Sequence, residues 1–328
     1  MPMEYAFELA LCAALEQSER VVSRQHGGAV VAAGSRIVDI CLLEPGPEFN
    51  DRAAITDQTI PALAIEADIG PGEAIPAREA FDIRPDRRAD IVERACEVGY
   101  LTRERRGGTT IVRATTRYPD EWFGRLVAIE NKPDLDRAGD LQSQLRFDDT
   151  LGLFDAVVLA TESYVTRAHL NRIPDRVGVW RFDPDTGERD VIRQAVPRKP
   201  DTRGVEIRDE QPLQTDIAIV SGEAKRRRRR RIAERVYGKG WRPAPPACSH
   251  AHLTKDGRPF CEAFDRVVDP GSDCPDCEAR RPADPPDDDH RQLRATRTAW
   301  RPNPTGTATQ QSGLGQFSSD GGTDSNGG

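Results

Sequence analysis

Residues 125–132 read Arg-Leu-Val-Ala-Ile-Glu-Asn-Lys, and residues 36–43 read Arg-Ile-Val-Asp-Ile-Cys-Leu-Leu. Both are apolar runs of strand length. In the first, Glu130 and Lys132 stand two apart at the strand end, so the period of two puts both side chains on one face. In the second, Asp39 interrupts an otherwise apolar strand. Working outward, residues 4–18 read as a helix in which Glu8 is the sole charge between Tyr5 and Leu15. A helix apolar almost all round is a buried one, and a carboxylate buried without a partner is costly. Two short runs, Val21–Gln25 and Ala29–Ala32, read as strands before residue 36. Beyond residue 132 come a helix at about Asp136–Leu153 and strands at Ala156–Ala160 and Val177–Phe182. Helix, strands, interruption, strand, helix, strand, strand is the order of an α/β core with something inserted.

Composition sets the limits. The 328 residues allow two or three domains at ~100–200 residues each. They are 37% hydrophobic and 31% charged, with 25 Pro and 27 Gly, which predicts a modest core and much loop. A net charge of −7 excludes a general polycation, so any nucleic-acid contact must use local basic patches. The 42 Arg against 5 Lys, with excess Asp and Glu, point to a GC-rich and salt-adapted source. The apolar stretch Phe7–Leu15 is far short of the ~20 residues a membrane span needs, and nothing reads as a signal peptide. The expectation is a cytoplasmic protein without membrane contact, in which seven Cys do not form a disulfide framework.

Carboxylates converging on one point make a site for a hard cation such as Mg²⁺ or Mn²⁺. A nearby Lys can orient a water and meet charge on a phosphate, a task for which always-protonated Arg is the poorer choice. An ordinary strand-end charge pair, with Asp39 capping a turn, is the alternative reading of the same residues. The joint pattern resembles the PD-(D/E)XK nuclease superfamily, which includes restriction endonucleases, Holliday-junction resolvases and RecB-type nucleases. The resemblance is carried by Glu8, by Asp39 in RIVDI, by Glu130-Asn131-Lys132 in LVAIENK, by the helix with Gln142-Ser143-Gln144-Leu145, and by AVVLA at 156–160. Val38 stands where the motif has Pro, and Asn131 where it has an apolar residue. The resemblance implies a restriction-endonuclease-like core, a mixed sheet flanked by helices, over about residues 4–183 without the insertion, with Asp39 and Glu130 as metal ligands and Lys132 positioning the water. It further implies Glu8 supporting the metal side and Gln144 (or Gln142) at the substrate edge. The chain also resembles a haloarchaeal family, in keeping with its Arg and acidic bias.

The expected organisation is a core in two parts, 1–44 and 121–183, split by an insertion at 45–120. Within the insertion, residues 76–115 read as a winged-helix module. A short helix near Ala77–Phe81 leads through Arg84-Pro85 to a helix at Asp86–Val98. A hairpin turning at Gly107-Gly108 then forms the wing. Arg87 and Arg88 open the candidate recognition helix, where base edges are reached in helix-turn-helix docking. Arg103, Arg105, Arg106 and Arg113 on the wing suit phosphates. A purely structural module, or a protein-contact surface, is the other reading.

Residues 184–240 read as a polar linker with a basic run, Lys225–Arg231, suited either to phosphates or to a solvated helix. In segment 241–281, Cys248, Cys261, Cys274 and Cys277 are spaced C-x12-C-x12-C-x2-C, with His250 and His252 nearby. Four thiolates satisfy a tetrahedral structural Zn²⁺. An iron–sulfur cluster, as some RecB-like nucleases carry, and free thiols are the alternatives. Cys12, Cys41 and Cys96 lie in apolar stretches and read as core. Residues 282–328 have no apolar periodicity and read as disordered. Two functions follow: a Mg²⁺-dependent DNA endonuclease, or a non-catalytic DNA-binding or regulatory protein using the same fold as a scaffold.

Overall fold

A computed structural model describes residues 2–16, 19–137 and 139–306. The chain divides into two compact units, Met1–Pro47 with Phe123–Trp300, and Glu48–Trp122 with the residues from Arg301. The first unit opens with α1 (Pro2–Leu15), β1 (Val21–Gly27) and β2 (Ile37–Pro45). The second contributes α2 (Phe49–Ile55), α3 (Ala62–Glu66), β3 (Ile75–Pro76), α4 (Ala77–Ala80), α5 (Pro85–Glu97), β4 (Leu101–Arg106) and β5 (Thr109–Ala114). The first unit resumes with β6 (Phe123–Asn131), α6 (Leu141–Leu151), β7 (Ala156–Thr161), α7 (Arg167–Leu170), β8 (Gly178–Phe182) and β9 (Arg189–Arg193). It continues through β10 (Gly204–Gln211), β11 (Gln214–Val220) and α8 (Gly222–Lys239). Three short strands, β12 (Ala251–Leu253), β13 (Pro259–Cys261) and β14 (Arg266–Val267), precede α9 (His290–Arg297).

The first unit is mixed α/β, built on a six-stranded sheet in the order β1-β2-β6-β7-β8-β9. Strands β6, β7 and β8 run parallel, and the outer pairings are antiparallel. The parallel centre is where the sequence is apolar without alternation, because those strands are covered on both faces. Helix α1 lies on one face, with Phe7, Leu9 and Leu11 in a cluster that includes Ile40, Leu42, Val127, Ile129 and Phe182. Helix α8 packs across β1, β2 and β6, and α6 lies beside β7.

The second unit holds a three-stranded sheet, β3-β5-β4, against which α5 buries Val92 and Ala95. Gly107 and Gly108 turn the β4–β5 hairpin at φ 53 and 83, a left-handed conformation that favours glycine. The two ends of the unit clasp each other. Glu48 N–H donates to the Glu121 carbonyl at 3.3 Å, and Glu121 N–H to the Glu48 carboxylate at 2.7 Å. No helix among the described residues is long and apolar enough to cross a membrane.

Three expectations need correction. Residues 29–32 form no strand, since the Val30, Val31 and Ala32 N–H groups donate at 2.7–3.1 Å to the buried Glu206 carboxylate instead. Residues 184–240 are no linker but strand β9, hairpin β10–β11 and helix α8. The basic run lies inside α8, where Arg229 donates to the Leu153 carbonyl (2.8 Å) and Asp155 (2.7 Å), and Arg228 donates to the Gly27 carbonyl (2.7 Å). Long basic stems bury their methylenes while their tips find acceptors, so a charge run need not be a solvated one. Residues 282–306, expected to be disordered, include α9 and the buried Trp300. Arg294 is buried there, donating to the carbonyls of Val236 (2.9 Å) and Tyr237 (2.7 Å). Residues 307–328 of that expected tail lie outside the described residues.

Candidate functional site

Strands β2 and β6 pair through Ile40 and Ile129, and the next step outward sets Asp39 opposite Glu130. Ile40 and Ile129 face α1, so alternation turns Asp39 and Glu130 to the opposite face, beneath α6 and α8. Asp39 accepts the Asn131 backbone N–H at 3.0 Å. Burial first, and then the Glu130 charge, push the Asp39 carboxyl up to about 8, against the Asn131 hydrogen bond. Burial likewise raises Glu130, opposed by Arg36.

Arg36 and Asp148 complete this cluster. The Arg36 guanidinium is buried and lies 2.6 Å from Glu130 Oε2 and 2.6 Å from Asp148 Oδ2, with its Nε 3.2 Å from both Asp148 oxygens. Asp148 projects from the buried stripe Leu141, Leu145, Asp148, Leu151 of α6, and burial raises its carboxyl also. Glu130 and Asp148 thus share one buried guanidinium, whose charge also reaches Asp39. Sequence reasoning did not find Arg36 or Asp148. The available signal was an acidic residue set in the apolar stripe of a helix.

The other expected residues sit around this cluster. Lys132 lies just past β6, where its N–H donates to the Ala160 carbonyl at 2.9 Å and its Nζ is 3.0 Å from Glu4 Oε1. The buried Glu8 carboxylate is engaged by β1, with Arg24 Nε at 2.6 Å and Gln25 Nε2 at 3.2 Å. Its burial is therefore explained by Arg24 and Gln25 rather than by a shared cation. Gln144 is half-buried on α6, one turn before Asp148, and Gln142 is exposed. Among the described residues, no three His, Cys, Asp or Glu side chains already stand around a single ion position.

A second group forms at the four cysteines. Cys248, Cys261, Cys274 and Cys277 all line one cavity of about 340 Å³, together with His250. Burial, followed by the charges of Cys261, Asp273, Cys277 and Cys248, raises the Cys274 thiol. The Arg281 and His250 backbone N–H groups lower that of Cys248. Cys12 and Cys41 are buried, and Cys96 is half-buried.

Residues 21–282 match a family of unknown function, DUF5787. The chain belongs to this family. The matched stretch takes in Asp39, Glu130, Lys132, Arg36, Asp148 and all four cysteines of the cavity, and leaves out α1 and α9. Neither the curated proteins nor the solved structures gave a match.

In the second unit of this DUF5787 chain, Arg87 is exposed on the first turn of α5. Arg88 turns inward, its Nη1 3.4 Å from the Phe81 carbonyl and 3.5 Å from that of Ile83. With Arg103 and Arg105 it lines a groove of about 540 Å³ between α5 and the hairpin. Arg106 pairs with Glu104 at 2.8 Å, and Arg113 is exposed on β5.

Proposed function

We propose that this DUF5787 chain is a divalent-metal-dependent DNA nuclease with a restriction-endonuclease-like core, acting through Asp39, Glu130 and Lys132. The observation that carries the reading is a charge deficit. Arg36 meets two buried carboxyls, Glu130 and Asp148, while the half-buried Asp39 stands beside Glu130 with its carboxyl pushed up to about 8. A hard dication with oxygen preference fits that deficit. Asp39 and Glu130 would hold it, and Mg²⁺ or Mn²⁺ so bound supplies an acidified water and a counter-charge for the scissile phosphate.

The remaining residues position these groups. The Asn131 N–H fixes the Asp39 carboxylate, and Arg36 fixes one oxygen of Glu130. Lys132, half-exposed and tethered to Glu4, is free enough to turn toward a phosphate oxygen or the attacking water. Gln144 lies on the helix that carries Asp148, in keeping with a place at the substrate edge. In the second unit, the sequence of α4, α5 and hairpin supports a winged helix. There Arg87, Arg88, Arg103, Arg105 and Arg106 meet DNA, Arg87 nearest the bases and the hairpin residues on phosphates.

One observation favours a second reading. Arg36 already places a cation 2.6 Å from Glu130, as a nuclease fold retained for DNA binding without catalysis would. Incubation of the full chain with single-stranded, duplex and branched DNA in Mg²⁺ or Mn²⁺ separates the two. Under the first reading, Asp39→Ala, Glu130→Ala and Lys132→Ala each lower cleavage at least about a hundredfold with duplex binding retained. Binding without cleavage by the wild type, weakened by Arg87→Ala or Arg105→Ala, establishes the second.

A further inference from the structure

We infer that Cys248, Cys261, Cys274 and Cys277 hold one structural zinc ion that staples the segment between α8 and α9. The segment lacks the means to hold itself together otherwise. Between Arg242 and Asp289, the buried apolar side chains among the described residues are Val268 and Pro259 alone. Its regular structure is three strands of three, three and two residues. Small stretches with so little apolar burial rely on disulfides or a metal. The ion pairs present, such as Arg266–Asp273 at 3.0 Å and Arg258–Asp256 at 3.0 Å, are partly exposed and contribute little.

The four cysteines come from three separate places in this segment and meet at one cavity. Cys248 precedes β12, Cys261 ends β13 opposite Ala251, and Cys274 and Cys277 lie in the turn after β14. All four line the same space of about 340 Å³, and all are free thiols. The Arg281 backbone N–H points at Cys248 Sγ from 3.5 Å, a contact that favours a thiolate. Four sulfur donors, two of them in a Cys-x2-Cys chelate, select a tetrahedral thiophilic ion and disfavour Mg²⁺ or Ca²⁺. The thiols ring the cavity rather than meeting at a point, so closing on zinc requires rotation between staggered χ1 positions. Each thiol that binds gives its proton to solvent. None of these residues belongs to the carboxylate cluster, so this site stands or falls apart from the nuclease reading.

The test uses the full chain purified without chelator or added metal. Elemental analysis should return one zinc per chain, with no visible iron–sulfur absorption. Exchange into Co²⁺ should give the ligand-field bands of a tetrahedral thiolate site. The double variant Cys274→Ser/Cys277→Ser should lose the zinc, whereas Cys96→Ser and Asp39→Asn should keep it. Because a variant that loses zinc can also lose its fold, the wild type is stripped with a chelator in parallel. Amide exchange should then accelerate within 248–281 and remain slow in β6 and β7. Metal-free protein that also fails to take up Co²⁺ overturns the inference. So does iron with cluster absorption, or zinc that persists in the double variant.

Discussion

Replacing Arg36 by Met removes the one guanidinium that Glu130 and Asp148 share, while keeping a side chain of similar length. Breaking a buried ion pair from one side typically costs about 3–5 kcal/mol, because the abandoned charge stays buried. Here two carboxylates are abandoned, both within 2.6 Å of Arg36, so the upper end of that range applies. Such a loss is a large part of a typical domain stability of about 5–15 kcal/mol. The loss must also depend on pH. Burial already raises Glu130 and Asp148 with Arg36 in place, and without it both rise further. A carboxyl whose folded pKa lies above its unfolded value of roughly 4 binds protons more tightly when folded. It therefore loses stability as pH climbs from that value through the folded one, by up to about 1.4 kcal/mol per unit for each proton. Urea unfolding of wild type and Arg36→Met near pH 5 and pH 8 reads this directly from the midpoints at constant m. The deficit should be larger near pH 8 by at least about 2 kcal/mol, and Arg36→Met/Asp148→Leu should recover part of it. A deficit below about 1 kcal/mol, or one equal at both pH values, refutes the shared-guanidinium account.

Three further outcomes follow from the same geometry. Asp39 is pushed up to about 8, so in metal-free protein this group lowers stability as pH rises from roughly 4 to 8. Asp39→Asn should flatten that slope in pH-dependent melts, and Mg²⁺ near pH 8 should raise Tm in wild type but not in the variant. Under the proposed nuclease reading, Lys132→Met should lower cleavage at least about a hundredfold while changing unfolding free energy by less than about 1 kcal/mol, since the pair with Glu4 is partly exposed. A Cβ added at Gly204 would lie 2.0 Å from the Leu151 carbonyl oxygen. Gly204→Ala should therefore displace β10 from the end of α6 and cost about 1–3 kcal/mol, measurable by thermal melting.

The central strands were legible because their physics is local. Apolar residues at strand length announce a covered sheet, and a polar residue that breaks the run, like Asp39, announces a site or a partner. Period-two geometry placed Glu130, and strand pairing then brought it beside Asp39. The Arg36–Asp148 partnership was not legible, because it spans 112 positions and the place of Asp148 in an apolar stripe marks a need for a partner without naming it. Glu8 was recognised as needing a partner, but Arg24 lies at the same short range as many residues that it does not touch. In α8, seven consecutive basic residues hid a helix whose inward face rests on carbonyl acceptors contributed by distant loops. Tertiary acceptors, unlike apolar periodicity, leave no mark on the segment that uses them.

The clasp between Glu48 and Glu121 bears on the order in which the molecule assembles. Asp39 and Glu130 are 91 positions apart, and an open chain of that length would make β2–β6 pairing a slow, long-range search. Once residues 48–122 have folded, their joined ends deliver Pro45 and Phe123 as though they flanked a tight turn. The strands that carry Asp39 and Glu130 then become, kinetically, the two arms of a hairpin. A mutation that delays folding of the inserted unit should therefore delay formation of the carboxylate cluster. Replacing residues 48–121 with a two- to four-residue turn should leave the core able to fold, and to do so faster.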